Sequence, residues 1–428
     1  MTVWEGLAGQ DAVVETLAAA AAAATLIGGP GGAIAAARAG MTHSWLFTGP
    51  AGAGRADAAR SFAAALSCER AVATPGAGEP AQPPGCGECV GCHTVLTDTA
   101  ADLRTVRAEG LSLGVNDVRA LVRDAASAPT SGRYRILLIE EADRLTDSAA
   151  NALLKALEEP ADRSVFLLCA PSVDDVMPTI RSRCRVVSLR LPSIDDIAAA
   201  LLRSGVDERT AYVAARASQG HLGQARLLAS DERTRARRAQ VLALPGRLGR
   251  VADCLAAAGD LVAAANAEAE AANAERDEAE SEALRTALGV GATSSGATGR
   301  SKRAPKTPPK TAPKAKTMMV RGAAGALKEL EKSQKSRGRR TVLDSLDRAL
   351  LDLAGLYRDV LAHQLGATVD PVNPDAVAEV GRLAGAATPE RTLRRLEAVL
   401  ATRDALAANP GLVVQLTVES LALTLRDA

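Results

Sequence analysis

A glycine-rich segment from Gly49 to Ala56, GPAGAGRA, constrains the fold of this chain more than any other feature. It follows the apolar run Trp45 to Phe47, which predicts a short buried strand, and it leads into the alanine-rich residues 58–66, which predict a helix. A phosphate-binding loop has this order of strand, glycine loop and helix, because its backbone N–H groups and the helix N-terminus then face an anion. The segment therefore predicts an α/β domain of the nucleotide-binding type.

The end of this loop departs from the pattern of an active phosphate loop. Gly49 and Gly54 keep the G-x-x-x-x-G spacing, with Gly52 between them, but Arg55 and Ala56 replace the lysine and the serine or threonine that should follow. Alanine has no oxygen for Mg²⁺, and a planar guanidinium replaces a compact ammonium poorly. We expect the fold of a nucleotide-binding domain without its hydrolytic chemistry.

Further short apolar runs alternate with helical patterns. The runs Arg135 to Ile139, Val165 to Cys169 and Val186 to Leu189 predict strands, and residues 116–126 and 148–157 predict helices between them. Strands that alternate with helices are typical of a parallel sheet covered by helices on both faces.

The strand signal ends after Pro192, and the rest of the sequence is helical in pattern. We predict an α/β domain over residues 1–190, a small helical domain over 191–232 and a third, all-helical domain over 233–428. A low-complexity insert at about 289–335 interrupts the third domain. It is rich in proline, glycine, serine and lysine and has almost no large apolar side chain, so we expect it to be disordered.

The insert is also basic. Its positive side chains are Lys302, Arg303, Lys306, Lys310, Lys314 and Lys316. These charges could contact DNA phosphates, but a solvated linker is the more common role of such a segment.

Bulk charge and hydropathy exclude some classes of protein. The net charge of the 428 residues is +1, so a role in binding polyanions would have to be local. The first ten residues carry no basic segment of the kind that begins a signal peptide. The alanine-rich run at 17–26 is too short to cross a bilayer. We expect a soluble, cytoplasmic protein that does not bind membranes.

Four cysteines suggest a metal site. Cys86, Cys89 and Cys92 follow one another at two-residue spacing in a proline- and glycine-rich loop, and Cys68 lies upstream at the end of a predicted helix. Four thiolates would form a closed tetrahedral zinc site with a structural role, inserted at about 68–92. The alternative is a group of reduced cysteines without metal. Cys68 is the least certain ligand, and His93 is a weaker candidate because it adjoins Cys92.

An acidic pair follows the third predicted strand. Glu140 and Glu141 lie where a nucleotide hydrolase places an aspartate for Mg²⁺ and a glutamate for the attacking water. Glutamate at the first position is one methylene longer than usual. Carboxylates at the end of a strand are often only solvated. The nucleotide-site interpretation of this pair is favoured because it follows the glycine loop at the distance expected for such a site.

The segment Pro178 to Cys184, PTIRSRC, contributes two arginines. Taken alone, Arg181 and Arg183 are ordinary surface residues.

Five stretches together resemble a known family. They are GQDAVVETL, HSWLFTGPAGAGRA, the three-cysteine loop, RILLIEEADRLTDSAANALLKALEEP and IRSRC. In combination they are similar to the delta-prime subunits of the bacterial DNA polymerase III clamp loader, a branch of the AAA+ ATPases. The similarity is strong over the first half of the chain, and the second half matches only in its helical pattern. It implies an AAA+ P-loop domain, a small helical lid domain and an all-α C-terminal collar domain.

The resemblance also implies roles for single residues. Arg183, in the SRC motif, would reach the ATP bound by a neighbouring gamma/tau subunit and act as an arginine finger in trans. Ser172 lies where ATP-active relatives have a polar sensor residue, and Gly223 lies where they have a second sensor arginine.

The function implied is that of a non-hydrolysing subunit that helps to load the sliding clamp onto primed DNA. Its partners would be the gamma/tau and delta subunits, and the clamp and DNA through the complex. It would belong to the DNA polymerase III holoenzyme without catalytic activity of its own, would hold structural zinc and would not hydrolyse ATP. The alternatives are an ATP-hydrolysing gamma/tau-like subunit and a zinc-containing DNA-binding AAA+ protein.

Overall fold

The computed structural model describes most of the chain. The described residues are 2–25, 40–71, 84–108, 112–287, 323–409 and 411–427. The basic insert up to residue 322, with all six of its named lysines and arginines, lies outside them, as does the segment 72–83 of the predicted zinc module.

A five-stranded parallel sheet forms the centre of the N-terminal domain. Its strands are β1 Ser44–Thr48, β2 Leu103–Val106, β3 Arg135–Ile139, β4 Ser164–Ala170 and β5 Arg185–Ser188. Their order in the sheet is β2-β3-β4-β1-β5, and every pair is parallel. The four predicted strands are confirmed to within a residue at either end. Strand β2, at one edge of the sheet, was not predicted, since only the first and last residues of LRTV are apolar and none of the four is fully buried.

Helices cover both faces of this sheet. They are α1 Asp11–Ala24, α2 Arg55–Leu66, α3 Val90–Leu96, α4 Val115–Ala125, α5 Asp147–Glu158 and α6 Pro178–Arg181. One core contains Trp45 and Phe62, whose ring centroids are 4.8 Å apart with the rings edge to face. The second core, on the opposite face, contains Leu121, Leu137 and Phe166. The central strands β1, β3 and β4 are apolar on both faces because both of their faces are buried.

Three short helices follow the sheet. They are α7 Ile194–Arg203, α8 Glu208–Ala217 and α9 Leu222–Ser230. Together they form a three-helix group with its own core, which also takes in Ala8 from the N-terminal segment. Hydroxyl and carboxylate caps begin α7 and α8: Ser193 accepts from the Asp196 N–H and Asp207 from the Thr210 N–H.

The C-terminal helical region contains longer helices. They are α10 Glu232–Leu242, α11 Val251–Ala287, α12 Ala323–Gln364, α13 Val377–Ala386, α14 Pro389–Ala408 and α15 Val414–Asp427. Their shared core includes Leu346, Leu350 and Tyr357 of α12. The parallel sheet covered by helices and the helical C-terminal region confirm the predicted fold class.

The prediction that the disordered insert extends to about residue 335 is wrong at its C-terminal end. Helix α12 already begins at Ala323. The sequence from 326 to 332, ALKELEK, consists of strong helix formers, and this propensity outweighs the low-complexity character of the preceding residues.

The three-helix group contacts the C-terminal helical region directly. Gln219 Nε2 donates to the Leu351 carbonyl over 3.0 Å, and Arg216 forms an ion pair of 3.2 Å with Asp370. Within the described ranges, no helix is both long and apolar enough to cross a membrane.

Candidate functional site

The glycine loop has the backbone conformation that its sequence predicts. Gly54 ends the loop at φ +80° and precedes the first residue of α2, a left-handed conformation that favours glycine. Gly52 is also left-handed, at φ +88°, and an added Cβ there would lie 3.4 Å from the Gly220 carbonyl oxygen and from His221. The loop therefore lies against the segment that leads into α9.

Arg55 folds back onto the loop. Its guanidinium donates a hydrogen bond to the carbonyl oxygen of Gly49, the first residue of the motif. Ala56 follows it within the first turn of α2 and offers no oxygen. The Arg55 side chain therefore binds the loop itself, and Ala56, at the position that would ligate Mg²⁺, has no side-chain oxygen to do it.

A small cavity of about 260 Å³ lies beside this loop. The predicted site residues that line it are Gly52, Gly54, Arg55, Ala56, Glu140, Glu141 and Gly223. Small-molecule sites usually enclose roughly 300–1,000 Å³, so the cavity is below that range. His221, the residue before α9, lines it too, and burial lowers the pKa of this imidazole.

Both acidic residues after β3 are engaged by arginines. Glu140 accepts a hydrogen bond from Arg60 Nη2 over 2.5 Å. It accepts two more from Arg107, from Nε over 2.5 Å and from Nη2 over 3.0 Å. Its side chain is only 14 % exposed. The alternative that Glu140 is merely a solvated carboxylate is therefore wrong.

Glu141 is held by an arginine from the C-terminal helical region. Arg340, on α12, uses both terminal nitrogens on this carboxylate, with Nη1 at 2.7 Å from Oε2. Nη1 of Arg340 also donates to the Ala108 carbonyl over 2.7 Å, while the Ala108 N–H donates to Glu141 Oε2 over 3.2 Å. These three residues form a closed network, and the Glu141 side chain is 17 % exposed. Neither carboxylate is free to bind a metal or activate water in this arrangement.

Sequence reasoning missed these three arginines. Arg60 lies on α2, Arg107 follows the edge strand β2, and Arg340 is 199 positions from its partner Glu141. No local motif marks them, because ion pairs over such separations depend on the tertiary fold.

The structure places Arg183 in the loop between α6 and β5. Its Nη2 lies 2.5 Å from Glu158 Oε1, at the end of α5, and its Nη1 donates to the Thr179 carbonyl over 2.7 Å. About 35 % of its side chain is exposed. Arg181, in the same motif, pairs instead with Asp174 at 2.9 Å.

Ser172 lies in the loop that follows β4. Its hydroxyl accepts a hydrogen bond from the Asp174 N–H over 3.3 Å. Among the described residues that line the cavity beside the glycine loop, Gly223 is present and Ser172 is not.

The four predicted metal ligands lie together. The sulfur atoms of Cys68, Cys86, Cys89 and Cys92 all lie within 4.8 Å of one another. Tetrahedral zinc with Zn–S bonds of ~2.3 Å needs sulfurs separated by ~3.8 Å, so the group fits such an ion with small adjustments. His93, the weaker candidate, is not a member of this group.

The surroundings of the cysteines favour the thiolate at Cys68 and Cys89 but not at Cys92. The Cys89 N–H faces Cys86 Sγ at 3.4 Å, and the Cys92 N–H faces Cys89 Sγ at 3.5 Å. Burial alone would raise the pKa of Cys68, but hydrogen bonds from the N–H groups of Cys86 and Gly85 outweigh it and lower this pKa to about 7. Burial raises the pKa of Cys92 when no metal is bound.

Two residues of the N-terminal segment, Val3 and Trp4, donate hydrogen bonds to the cysteine loop. The Val3 N–H donates to the Gly85 carbonyl over 2.9 Å, and the Trp4 indole N–H donates to the Pro84 carbonyl over 3.1 Å. Gly91 lies so close to the end of α2 that an added Cβ would be 2.1 Å from the Ser67 carbonyl oxygen. The loop thus packs against α2, the helix that also begins at the glycine loop.

Two family models match the chain. The first, described as DNA polymerase III, delta subunit, matches residues 34–193. The second, described as DNA polymerase III, delta subunit, C terminal, matches residues 342–427. The matches thus cover the parallel-sheet domain and most of the helices from α12 onward.

Curated relatives are DNA polymerase III subunits of two kinds. The gamma/tau subunit of Mycobacterium tuberculosis (strain ATCC 25618 / H37Rv) is 35 % identical over 152 residues, which is 35 % of this chain and 25 % of the relative. The delta-prime subunit of Pseudomonas aeruginosa is 36 % identical over 157 residues, which is 36 % of this chain and 45 % of the relative. The matched segments therefore span less than half of these relatives.

Solved structures include a gamma subunit-related protein of DNA polymerase III from Thermotoga maritima. It is 14 % identical, with a TM-score of 0.39, and the alignment covers 90 % of this chain and 94 % of that protein. The family models and the curated relatives, joined to a parallel sheet with a phosphate-loop backbone, support a DNA polymerase III clamp-loader-type AAA+ subunit.

Proposed function

We propose that this chain is a non-hydrolysing, delta-prime-type subunit of the replicative DNA polymerase III clamp loader. The observation that carries this proposal is the state of the nucleotide-binding loop. Arg55 is bonded to the loop backbone, Ala56 has no ligand oxygen, and arginines hold both Glu140 and Glu141. A chain with this site can keep the fold of an ATPase while its neighbours perform the hydrolysis.

The second candidate is an ATP-hydrolysing gamma/tau-like subunit. The gamma/tau relatives, at 35 % identity, are as similar to this chain as the delta-prime relative is, at 36 %. Against this candidate stands the absence from the sequence of the lysine and the serine or threonine that hold phosphate and Mg²⁺. We therefore prefer the delta-prime assignment.

The proposed organisation has three domains. Residues 1–190 form the AAA+ domain, 191–232 the lid domain, and 233–428 the collar domain through which subunits assemble. The partners would be gamma/tau and delta subunits in the cytoplasm, with the sliding clamp and primed DNA engaged through the complex. The family-model matches over residues 34–193 and 342–427 lie in the first and the last of these domains and support the proposal there.

In this proposal zinc has a structural role. Cys68, Cys86, Cys89 and Cys92 would hold the ion, and four thiolates leave no open position for a catalytic water. The bound metal would keep the loop folded against α2. Metal affinity at such a site is also folding free energy, because the unfolded chain has no preformed site.

Arg183 would supply the active contribution of this subunit. Its guanidinium is at the surface, on a loop held by the end of α5. In a complex it would stabilise the transition-state charge on the γ-phosphate of ATP in a neighbouring subunit, an effect worth ~10³–10⁵ in rate in GTPases that use an arginine finger.

The test is Arg183→Ala in the assembled clamp loader. We expect the variant to fold and to join the complex, and the total ATPase rate to fall partially, because this subunit would border only some of the ATP sites. Clamp loading should fall more strongly. Arg183→Lys should restore little, since an ammonium lacks the bidentate geometry.

Arg181→Ala is the matched control, because Arg181 lies in the same motif and pairs with Asp174 on its own loop. If Arg183→Ala loads the clamp as well as the unmodified subunit, the arginine-finger assignment is wrong.

A further inference from the structure

We propose that Glu158 is a positioning residue for Arg183, an inference that rests on the proposed arginine-finger function. Glu158 is the last residue of α5, and its Oε1 lies 2.5 Å from Arg183 Nη2. Glu158 would act on the reaction only through Arg183 and would not touch the nucleotide.

The pair joins two separate elements. Glu158 belongs to a twelve-residue helix with a buried face, and Arg183 belongs to the loop that precedes β5. The neighbouring pair, Arg181 with Asp174, differs because Asp174 lies on an exposed loop and its side chain is 82 % exposed. Since α5 packs in the core of the domain, its end is a firm support for a surface arginine, whereas Asp174 offers none.

Three acceptors contact the guanidinium of Arg183. Besides Glu158, Nη1 donates to the Thr179 carbonyl at 2.7 Å and to the Ser182 hydroxyl at 3.2 Å. A guanidinium has five N–H donors. Three acceptors from its own chain therefore leave donors for the oxygens of a phosphate on a partner.

The physical benefit is a smaller loss of side-chain freedom on assembly. A free arginine loses much rotamer entropy when it is fixed at an interface. Glu158 fixes the guanidinium before the partner arrives. The negative charge of Glu158 repels the phosphate of the bound ATP. A glutamine at this position has the same shape and still accepts a hydrogen bond from Arg183, so it should position the guanidinium without this repulsion.

The experiment measures ATP hydrolysis by the complete clamp loader with four forms of this subunit. They are Glu158→Ala, Glu158→Gln, Arg183→Ala and the double variant Glu158→Ala/Arg183→Ala. We expect Glu158→Ala to slow hydrolysis roughly 2- to 10-fold at the ATP site that Arg183 reaches, the effect of freeing one rotamer-rich side chain. The kcat of the whole complex should therefore fall by no more than it does in Arg183→Ala, with the KM for ATP unchanged. Glu158→Gln should retain most of the rate, because its amide oxygen still accepts from Arg183.

The double variant gives the sharpest readout. If Glu158 acts through Arg183, adding Glu158→Ala to Arg183→Ala has no further effect on kcat. Asp174→Ala is the control for loss of an ion pair in the same region, and we expect it to be neutral. Circular dichroism and complex assembly, measured for each variant, exclude misfolding as the cause.

The two proposals fail in different ways. If Arg183→Ala leaves hydrolysis unchanged, the arginine-finger function is wrong, and the role of Glu158 is overturned with it. If Arg183→Ala slows hydrolysis while Glu158→Ala is neutral, faster, or additive with Arg183→Ala, only the positioning role is overturned.

Discussion

Replacing Arg340 by alanine should loosen the contact between α12 and the glycine-loop domain. Arg340 contacts both Glu141 and the Ala108 carbonyl, and Ala108 in turn donates to Glu141. The substitution removes one corner of this closed network. The Ala108 N–H then keeps a carboxylate partner whose position is no longer fixed by the long helix.

The size of the effect follows from the exposure of the two side chains. Exposed ion pairs contribute about 0.2–1 kcal/mol, while breaking a buried pair costs about 3–5 kcal/mol. Glu141 is 17 % exposed and Arg340 35 %, which places this pair between the two classes. Because Glu141 keeps the Ala108 N–H and Arg144, 3.6 Å away, we expect a local cost of roughly 1–2 kcal/mol.

Hydrogen–deuterium exchange is the suitable assay, since a protein of several domains need not unfold in two states. A cost of about 1.4 kcal/mol corresponds to a tenfold change in the opening equilibrium. Backbone amides of residues 104–108 should therefore exchange roughly tenfold faster in Arg340→Ala. Arg340→Lys should give an intermediate effect, because a lysine makes one contact where the guanidinium makes several.

Arg339→Ala is the matched control. Arg339 is the adjacent residue of α12, and its guanidinium donates to the Leu412 carbonyl, within the C-terminal helical region. We expect this variant to leave the exchange of residues 104–108 unchanged. Equal exchange in the unmodified chain and in Arg340→Ala would refute the idea that Arg340 stabilises Glu141 and the end of β2.

Three further predictions concern stability, metal and nucleotide. Asp102 accepts from three backbone N–H groups at 2.6–2.8 Å, and these bonds outweigh burial and hold the pKa of Asp102 well below its usual range. Asp102→Ala should therefore lower the stability by roughly 2–3 kcal/mol at neutral pH. This difference should be full above about pH 4, the unfolded pKa, and should shrink as the pH falls toward the depressed folded pKa, as measured by denaturation at several pH values. Purified chain should hold one zinc by elemental analysis under reducing conditions, and Cys89→Ser should lose it and destabilise the loop; finding no zinc in the unmodified chain would contradict the site. Finally, the isolated chain should not hydrolyse ATP. The double variant Arg55→Lys/Ala56→Thr should not hydrolyse ATP either, since Glu141 stays bound to Arg340. ATP turnover by this double variant would show that the ion pair of Glu141 with Arg340 does not prevent hydrolysis.

The sequence predicts the sheet where burial and apolar character coincide. All residues of β1 and β4 are buried, and their apolar runs are visible without any structure. Strand β2 is different because its two apolar residues are separated by Arg104 and Thr105, so no apolar run marks it. Strand β5 is also at an edge, but its adjacent valines, Val186 and Val187, make it visible in the sequence. The predicted end of the insert lies beyond the start of α12 because the first residues of this helix, AAGA, still resemble the low-complexity segment before them.

In the candidate site too, the features that depend on residues close in sequence could be predicted, and those that depend on distant residues could not. The loop conformation at Gly54 and the grouping of Cys86, Cys89 and Cys92 follow from motifs with short spacing, whereas Cys68 joins them only through the fold. The partners of Glu140 and Glu141 do not, since those arginines come from three separate elements. A sequence motif predicts which side chains a site contains, but whether those side chains already have partners depends on the tertiary fold.

The arginines explain how a degenerate site can persist in a stable fold. In an active site, Mg²⁺ and a lysine offset the charges of the acidic pair and of the phosphates. This chain has Arg55 and Ala56 where an active loop has the lysine and the serine or threonine, but it keeps Glu140 and Glu141, two carboxylates that are more than four-fifths buried. A partly buried charge without a partner is costly, so these two carboxylates need cations beside them. Arg60, Arg107 and Arg340 supply those cations. Because Arg340 comes from the C-terminal helical region, its ion pair with Glu141 also joins that region to the parallel-sheet domain.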